Sequence, residues 1–280
     1  MKLALGTVQF GLDYGIANSQ GKTQIKEVAS ILNLAKNNNI RTLDTAANYG
    51  NSEKVLGNVG VDDFHVITKT VSIKSGVRKV VDSFYQSLED LNQKKVDGLL
   101  IHDVKEVKHS KFDILFNELI SLKQQGLVNK VGFSTYTPEQ VDFLLDSFEF
   151  DLIQIPFNVF DGRLIRGGQI DRLNSHGVEI HARSVFLQGL LLDFKRKHKY
   201  FSLWENEFKI YQTMVKESGL SLVEYALCAV LNIKGIDKVL VGVNNSSQLA
   251  EIIRASSLDI ELSMYEIDDV NLLNPSLWKL

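Results

Sequence analysis

The chain has 280 residues, 44% hydrophobic and 23% charged, with a formal net charge of −3, a length suited to one large α/β barrel or two smaller domains. No basic field draws it toward nucleic acid or anionic lipid, and no apolar run approaches the ~20 residues that span a bilayer. The single cysteine, Cys228, excludes an intramolecular disulfide framework and a multi-cysteine metal site.

Residues 1–5 run directly into a strand with no signal-peptide core, so a cytoplasmic location is the default expectation. The first strand is predicted over 3–7. A loop over 9–15 follows, with Gly11 and Gly15 permitting turns; Phe10 and Tyr14 are expected at a substrate mouth or in loop packing. Ile25, Val28, Ala29, Leu32 and Ala35 recur at helical spacing and predict a helix over 23–39. A strand over 41–46 breaks at Tyr49-Gly50-Asn51 and restarts as a short helix from Ser52. A strand over 64–70 precedes an amphipathic helix marked by Val77, Val80, Val81, Phe84, Leu88 and Leu91. A strand over 96–102 and a helix over 110–122, stopped near Gly126, come next. After a strand over 130–134, Thr137-Pro138-Glu139-Gln140 reads as a helix start, with Thr as cap, Pro at the first position and Gln three residues on. A strand over 152–155, a helix over 164–176 weakened by Gly167-Gly168 and a strand over 178–183 follow. Residues 193–201 are basic and irregular, an expected exposed loop. Two helices follow, the second opened by Ser221-Leu222-Val223-Glu224. Cys228 lies in that apolar helical pattern and reads as a buried, inert thiol. A strand over 238–242 and a helix over 246–255 close the count.

Eight short apolar strands alternating with helices predict a parallel sheet covered on both sides, and eight such units in this length fit one (β/α)8 TIM barrel domain over 1–280. A doubly wound open sheet is the alternative. Its G-x-G-x-x-G fingerprint is absent, because Gly6, Gly11 and Gly15 have the wrong spacing.

Four polar residues fall at or just beyond the ends of three successive strands: Asp44, Tyr49, Lys69 and His102. Active sites of parallel barrels lie at that face. A buried carboxylate is costly alone, and an ammonium between it and a phenol points to proton chemistry. His65, His109, His176 and His198 have no partner at metal-ligand spacing. His181 and Glu179 share one face of their strand without a third ligand, so no metal site is expected.

Asp44-Thr45-Ala46 followed by Tyr49-Gly50-Asn51-Ser52-Glu53 and Leu56-Gly57 resembles the signature of the aldo-keto reductases. The resemblance runs from Leu5-Gly6-Thr7 to the last quarter of the chain. It implies reduction of an aldehyde or ketone by NADPH or NADH, with Asp44, Tyr49, Lys69 and His102 as the catalytic tetrad and Tyr49 as general acid, its pKa lowered by Lys69. It places Gly6 and Thr7 against the cofactor and assigns the nicotinamide carboxamide to Ser134 and Gln154, where Thr135 replaces the usual Asn. The run from Arg183 to Leu191, with Ser184, Gln188 and Gly189, is similar to the family's pyrophosphate loop, but Arg183 stands where an aromatic ring usually stacks on the nicotinamide. Arg183 is expected either to replace that stacking or to reach an acidic substrate. Gly242, Asn244, Gln248 and Glu251 match the adenine end. Gly242 and Gln248 stand where NADPH-selective relatives carry Lys and Arg, so the expected specificity is either relaxed or NADH-leaning; Glu251 corresponds to an adenine-contacting Glu. The likeness to the bacterial type found near sugar genes implies a small-molecule, sugar-derived carbonyl substrate.

Two other functions compete: a cofactor-binding regulatory or scaffolding subunit, and a barrel lyase using Lys69 as a Schiff-base nucleophile. Neither substrate identity nor oligomeric state is legible in the sequence.

Overall fold

The computed structural model describes residues 1–16, 18, 20–194 and 198–280. Eight parallel strands close into a barrel in sequence order: β1 Leu3–Gly6, β2 Thr42–Asp44, β3 His65–Lys69, β4 Val96–Ile101, β5 Val128–Ser134, β6 Leu152–Pro156, β7 Glu179–Arg183 and β8 Lys238–Gly242. β8 seals against β1 with Leu3 opposite Val239 and Gly6 opposite Gly242. The (β/α)8 expectation stands, and the open sheet is excluded by this closure.

The helices are α1 Val8–Gly11, α2 Ile25–Asn37, α3 Ser52–Val59, α4 Val77–Leu91, α5 Phe112–Gln124, α6 Pro138–Ser147, α7 Arg163–Arg166, α8 Gln169–Ser175, α9 Glu205–Ser218, α10 Leu222–Leu231, α11 Ser246–Ala255 and α12 Val270–Leu273. Both sequence-predicted capping boxes form. The Thr137 hydroxyl accepts from the Gln140 amide as Gln140 bonds back, and Ser221 and Glu224 do the same at α10. The single helix expected over 164–176 is instead two, because Gly168 adopts φ +74° and breaks the run. The short helices α1 and α12 carry too few periodic residues to show in the sequence. The loop expected over 193–201 is corrected in part: Phe194 and Phe201 are buried, and a 3₁₀ turn runs Lys199–Trp204. Residues 195–197 of that prediction lie outside the described residues. Phe10 is fully buried and belongs to the core, whereas Tyr14 remains partly exposed at the cleft.

Strand alternation fixes what faces the barrel axis. Ile67, Leu100 and Leu152 form a small apolar plug, separate from the main core between strands and helices. Two residues further along each of these chains stand Lys69, His102 and Gln154. The period of two turns all three to the same side, one layer nearer the C-terminal rim.

The loop bearing Tyr49 is held by close backbone approach. A β-carbon on Gly11 would fall on the Tyr49 carbonyl, and Gly50, at φ +59°, packs back against the Gly11 carbonyl. Behind this loop, α3 crosses α4 at Gly57, where a side chain would strike the Asp90 carbonyl. Buried Glu53 of α3 accepts a hydrogen bond from Thr68, the residue before Lys69. Gly11→Ala is expected to push the Tyr49 loop off its seat and cost about 2–4 kcal/mol by overpacking and loop displacement. Urea denaturation checks it, and a midpoint equal to wild type contradicts this account of the loop.

Candidate active site

The site begins at a buried ion pair. Lys69 Nζ donates to both Asp44 carboxylate oxygens at 2.7 Å and to the Thr45 carbonyl at 2.9 Å. Gln154 Nε2 donates to Asp44 Oδ1 at 2.7 Å. The ammonium's three protons are therefore satisfied inside the barrel, as burial of a charge requires. The Asp44 carbonyl accepts from the Thr7 amide at 2.9 Å and the Thr7 hydroxyl at 3.0 Å, and Ser52 Oγ lies 2.9 Å from Thr7 Oγ1. Asp44 is thus braced at its backbone by β1 and the start of α3, and at its side chain by β3 and β6.

Tyr49 sits above this pair. Lys69 Nζ is 5.0 Å from the centre of its ring, and the His102 ring meets it edge-on at 5.8 Å. Burial pushes the Tyr49 phenol above its ordinary value of 10.0, and this outweighs the downward pull of the Lys69 charge. Lys69 pulls in the direction expected from the sequence, but desolvation of the ring is the larger effect. The phenol keeps its proton at neutral pH. Burial pulls the Lys69 ammonium down, but the Asp44 carboxylate and Tyr49 hold it above its ordinary range. Burial, then the Lys69 charge, lowers His102 to about 4, so its ring is neutral near pH 7.

These residues open into one cleft of about 640 Å³, within the range of small-molecule sites. Each of the sixteen candidate residues lines it. Gly6 ends β1 and Thr7 follows it; Ser134 and Arg183 end β5 and β7, and Gln154 lies at the middle of β6. Ser184, Gln188 and Gly189 lie on the loop after β7, where Ser184 (φ +63°), Gln188 (φ +54°) and Gly189 (φ +93°) are left-handed. Such turns gather backbone N–H groups into anion-binding concavities, at a cost in strain for the non-glycine residues. Gly242, Asn244, Gln248 and Glu251 surround the start of α11. Thr135, which replaces the family's Asn, is fully buried outside the lining, 3.5 Å from the Gln154 carbonyl.

The start of α11 is not a free helix terminus. The Ser246 amide donates to Glu27 Oε1 at 2.6 Å, the Gln248 amide to Asn245 Oδ1 at 2.9 Å, and the Asn244 amide to Gln248 Oε1 at 2.8 Å. Three amides there are already occupied, one by a carboxylate. Two buried acceptors nearby, Gln9 Oε1 and Asn244 Oδ1, have no partner among the described residues.

Sequence reasoning missed Tyr136 and Gln9. Tyr136 lies two residues beyond Ser134 and carries the Arg183 guanidinium 4.4 Å from its ring centre; Gln9 fills the space a side chain on Gly242 would need. Neither position shows a signal in the sequence beyond adjacency to a strand end. His181 is fully buried and hydrogen-bonds Glu179 at 2.7 Å, and Glu179 is held at about 2 by His181 and Lys130. They belong to the opposite, N-terminal part of the barrel.

A parallel barrel with a buried ammonium–carboxylate pair beneath a phenol, at the C-terminal rim, defines a barrel enzyme. The sequence profile of the Aldo/keto reductase family matches residues 2–274. The chain belongs to this family of oxidoreductases. It is 25% identical over 299 aligned residues to an L-glyceraldehyde 3-phosphate reductase of Escherichia coli, covering 90% of this chain and 84% of that protein. It is 28% identical over 242 residues to an L-galactose dehydrogenase of Arabidopsis thaliana, covering 77% and 73%. Among solved structures, an aldo-keto reductase from Bacillus halodurans superposes with a TM-score of 0.76 at 19% identity, covering 94% of this chain and 88% of that one. Among the described residues no helix is long and apolar enough to cross a membrane.

The depressed His102 pKa predicts a pH effect on stability. The unfolded chain takes this proton near pH 6.5 and the folded chain only near about 4. Between those values the unfolded state binds more protons, so this group's contribution is lost as pH falls through that window and is constant above it. His102→Asn is expected to flatten the corresponding part of the urea-midpoint profile. A variant that loses stability as steeply as wild type over that window assigns the slope to other groups.

Proposed function

We propose that the chain, acting as one barrel domain over 1–280, reduces an aldehyde or ketone to an alcohol with NADH or NADPH, Tyr49 serving as general acid. The observation that carries this reading is the satisfied Lys69–Asp44 pair directly beneath a protonated phenol at the cleft floor. The bound dinucleotide supplies the hydride, which no side chain can. The chain's residues supply the rest. Tyr49 Oη donates its proton to the carbonyl oxygen as negative charge develops there. Lys69 stabilises the phenolate left behind, and Asp44 keeps Lys69 charged and fixed. The neutral His102 ring orients the carbonyl oxygen by hydrogen bonding.

The cleft suits such a cofactor. Ser134 and Gln154 line it near the tetrad, as carboxamide partners would; the left-handed residues Ser184, Gln188 and Gly189 line it where a pyrophosphate would lie; and the orphaned Gln9 and Asn244 oxygens seek donors. A Schiff-base role for Lys69 is disfavoured, because Asp44 holds it protonated.

Tyr49→Phe is expected to lower kcat by roughly 10²–10⁴ while cofactor fluorescence still reports binding. Binding without turnover by wild type across a broad carbonyl panel, sugar-derived aldehydes included, would replace the reductase reading with a regulatory one.

The adenine end supports NADH over NADPH. Gly242 and Gln248 offer no cation to a 2′-phosphate, and Glu27 already places a carboxylate on the Ser246 amide. With no cation to offset it, repulsion between the Glu27 carboxylate and a 2′-phosphate is expected to cost about 1.4 kcal/mol, a Kd for NADPH about tenfold above that for NADH. Glu27→Gln is expected to narrow that gap. Fluorescence titration with both cofactors decides it, and tighter NADPH binding overturns the assignment.

A further inference from the structure

The cleft holds two cations with opposite commitments. Lys69 is fully paired with Asp44. Arg183 forms no ion pair among the described residues, and it points into the cleft two residues beyond buried His181 on the same face of β7. It is nonetheless held in place. Nη2 donates to the Thr135 carbonyl at 2.9 Å, Nη1 to the Ser184 hydroxyl at 3.1 Å, and the guanidinium lies against Tyr136. Two of its five N–H groups are thereby used, leaving three in a planar fork suited to a carboxylate or phosphate. A half-buried, immobilised, unpaired cation has a desolvation cost that a bound anion offsets.

The surroundings place that anion near the reacting carbonyl. Tyr14, Tyr49, His102 and Tyr136 line the same cleft. Burial dominates the titration of Tyr14, Tyr49 and His102, raising the two phenols and lowering the imidazole, and the Arg183 charge reaches all three as a smaller downward pull. Of the two roles left open by the sequence, a cushion for the nicotinamide is the poorer. A cation against that ring opposes the positive charge it gains on giving up hydride, whereas an anionic group on the substrate gains from the same field at no such cost.

We propose that Arg183, with Tyr14 and Tyr136 around it, is the specificity determinant of this cleft, an anion subsite that selects carbonyl compounds bearing a carboxylate or phosphate over neutral ones. The inference rests on the reductase reading for its substrates, and its test separates the two.

The experiment measures kcat/KM for para-carboxybenzaldehyde against benzaldehyde and for glycolaldehyde phosphate against glycolaldehyde, in wild type, Arg183→Met and Arg183→Lys. In parallel, calorimetry measures binding of para-hydroxymethylbenzoate against benzyl alcohol, which needs no turnover. Wild type is expected to favour at least one anionic member by about tenfold or more, the ratio that 1.4 kcal/mol of differential binding produces. Which pair shows it identifies carboxylate or phosphate. Arg183→Met is expected to bring that ratio near one, and Arg183→Lys to retain part of it, since the charge stays and the fork is lost. Ratios near one in wild type, or an unchanged preference in Arg183→Met, overturn the subsite while leaving the reductase reading intact. Charge-selective, Arg183-dependent binding with no reduction of any aldehyde keeps the subsite and removes the reductase reading. Neither reduction nor selective binding removes both.

Discussion

The contact on which the molecule depends is the ion pair between Lys69 and Asp44. Both groups are buried, and a charge in that position is tolerated only when paired and fully hydrogen-bonded. Here the three ammonium protons meet two carboxylate oxygens and the Thr45 carbonyl, and Gln154 takes a further site on Asp44. Removing one partner from such a pair costs about 3–5 kcal/mol, because the survivor is left buried and uncompensated. The pair therefore does structural as well as chemical duty. It ties β2, β3 and β6 together across the barrel interior. A slip of one residue in β3 would turn Lys69 outward and seat Thr68 in its place, so the charge specifies the register.

The same alternation explains why the site has a floor. Ile67, Leu100 and Leu152 close the barrel beneath Lys69, His102 and Gln154. The pair is shielded below by this apolar layer, and Tyr49 faces the cleft above it. Desolvation by this floor and by the packed Tyr49 loop raises the phenol's pKa against the pull of Lys69. On the proposed reductase reading, Tyr49 must hold its proton until a carbonyl oxygen arrives, and this is the useful direction; Lys69 then acts on the conjugate base, where its charge matters most.

Most of the fold was legible because its signals are local. Each strand is a short apolar run, each long helix has an apolar stripe, and Thr137-Pro138 and Ser221 announce their caps. The break at Gly168 was half legible: the Gly167-Gly168 pair weakened the predicted helix, but the left-handed turn that splits it depends on packing. Phe194 and Phe201 were assigned to an exposed loop because their neighbours are basic; burial of the two rings is a tertiary outcome. The tetrad residues stand out by spacing at strand ends. Tyr136 does not, since an aromatic residue beside a strand gives no hint that it will carry a guanidinium. The occupation of the Ser246 amide by Glu27 joins residues 219 apart in sequence and has no local trace.

Long-range placements of this kind give the cleft a charge polarity that the net value of −3 conceals. At the α11 end, a carboxylate occupies a helix-terminal amide and Gly242 and Gln248 supply no cation, an environment that works against additional phosphate charge. At the β7 end, a guanidinium is fixed by Thr135, Ser184 and Tyr136 without a counter-ion among the described residues. The buried Lys69–Asp44 pair at the cleft floor is neutral as a unit and adds little net field to either side. On the proposed reading, the cleft sorts its two guests by where each carries charge. The dinucleotide is favoured when its adenosine end carries no additional phosphate, and the carbonyl compound when it brings an anion. Both preferences follow from the same desolvation arithmetic that makes Lys69 and Asp44 inseparable, applied to charges the chain has left for its ligands to complete.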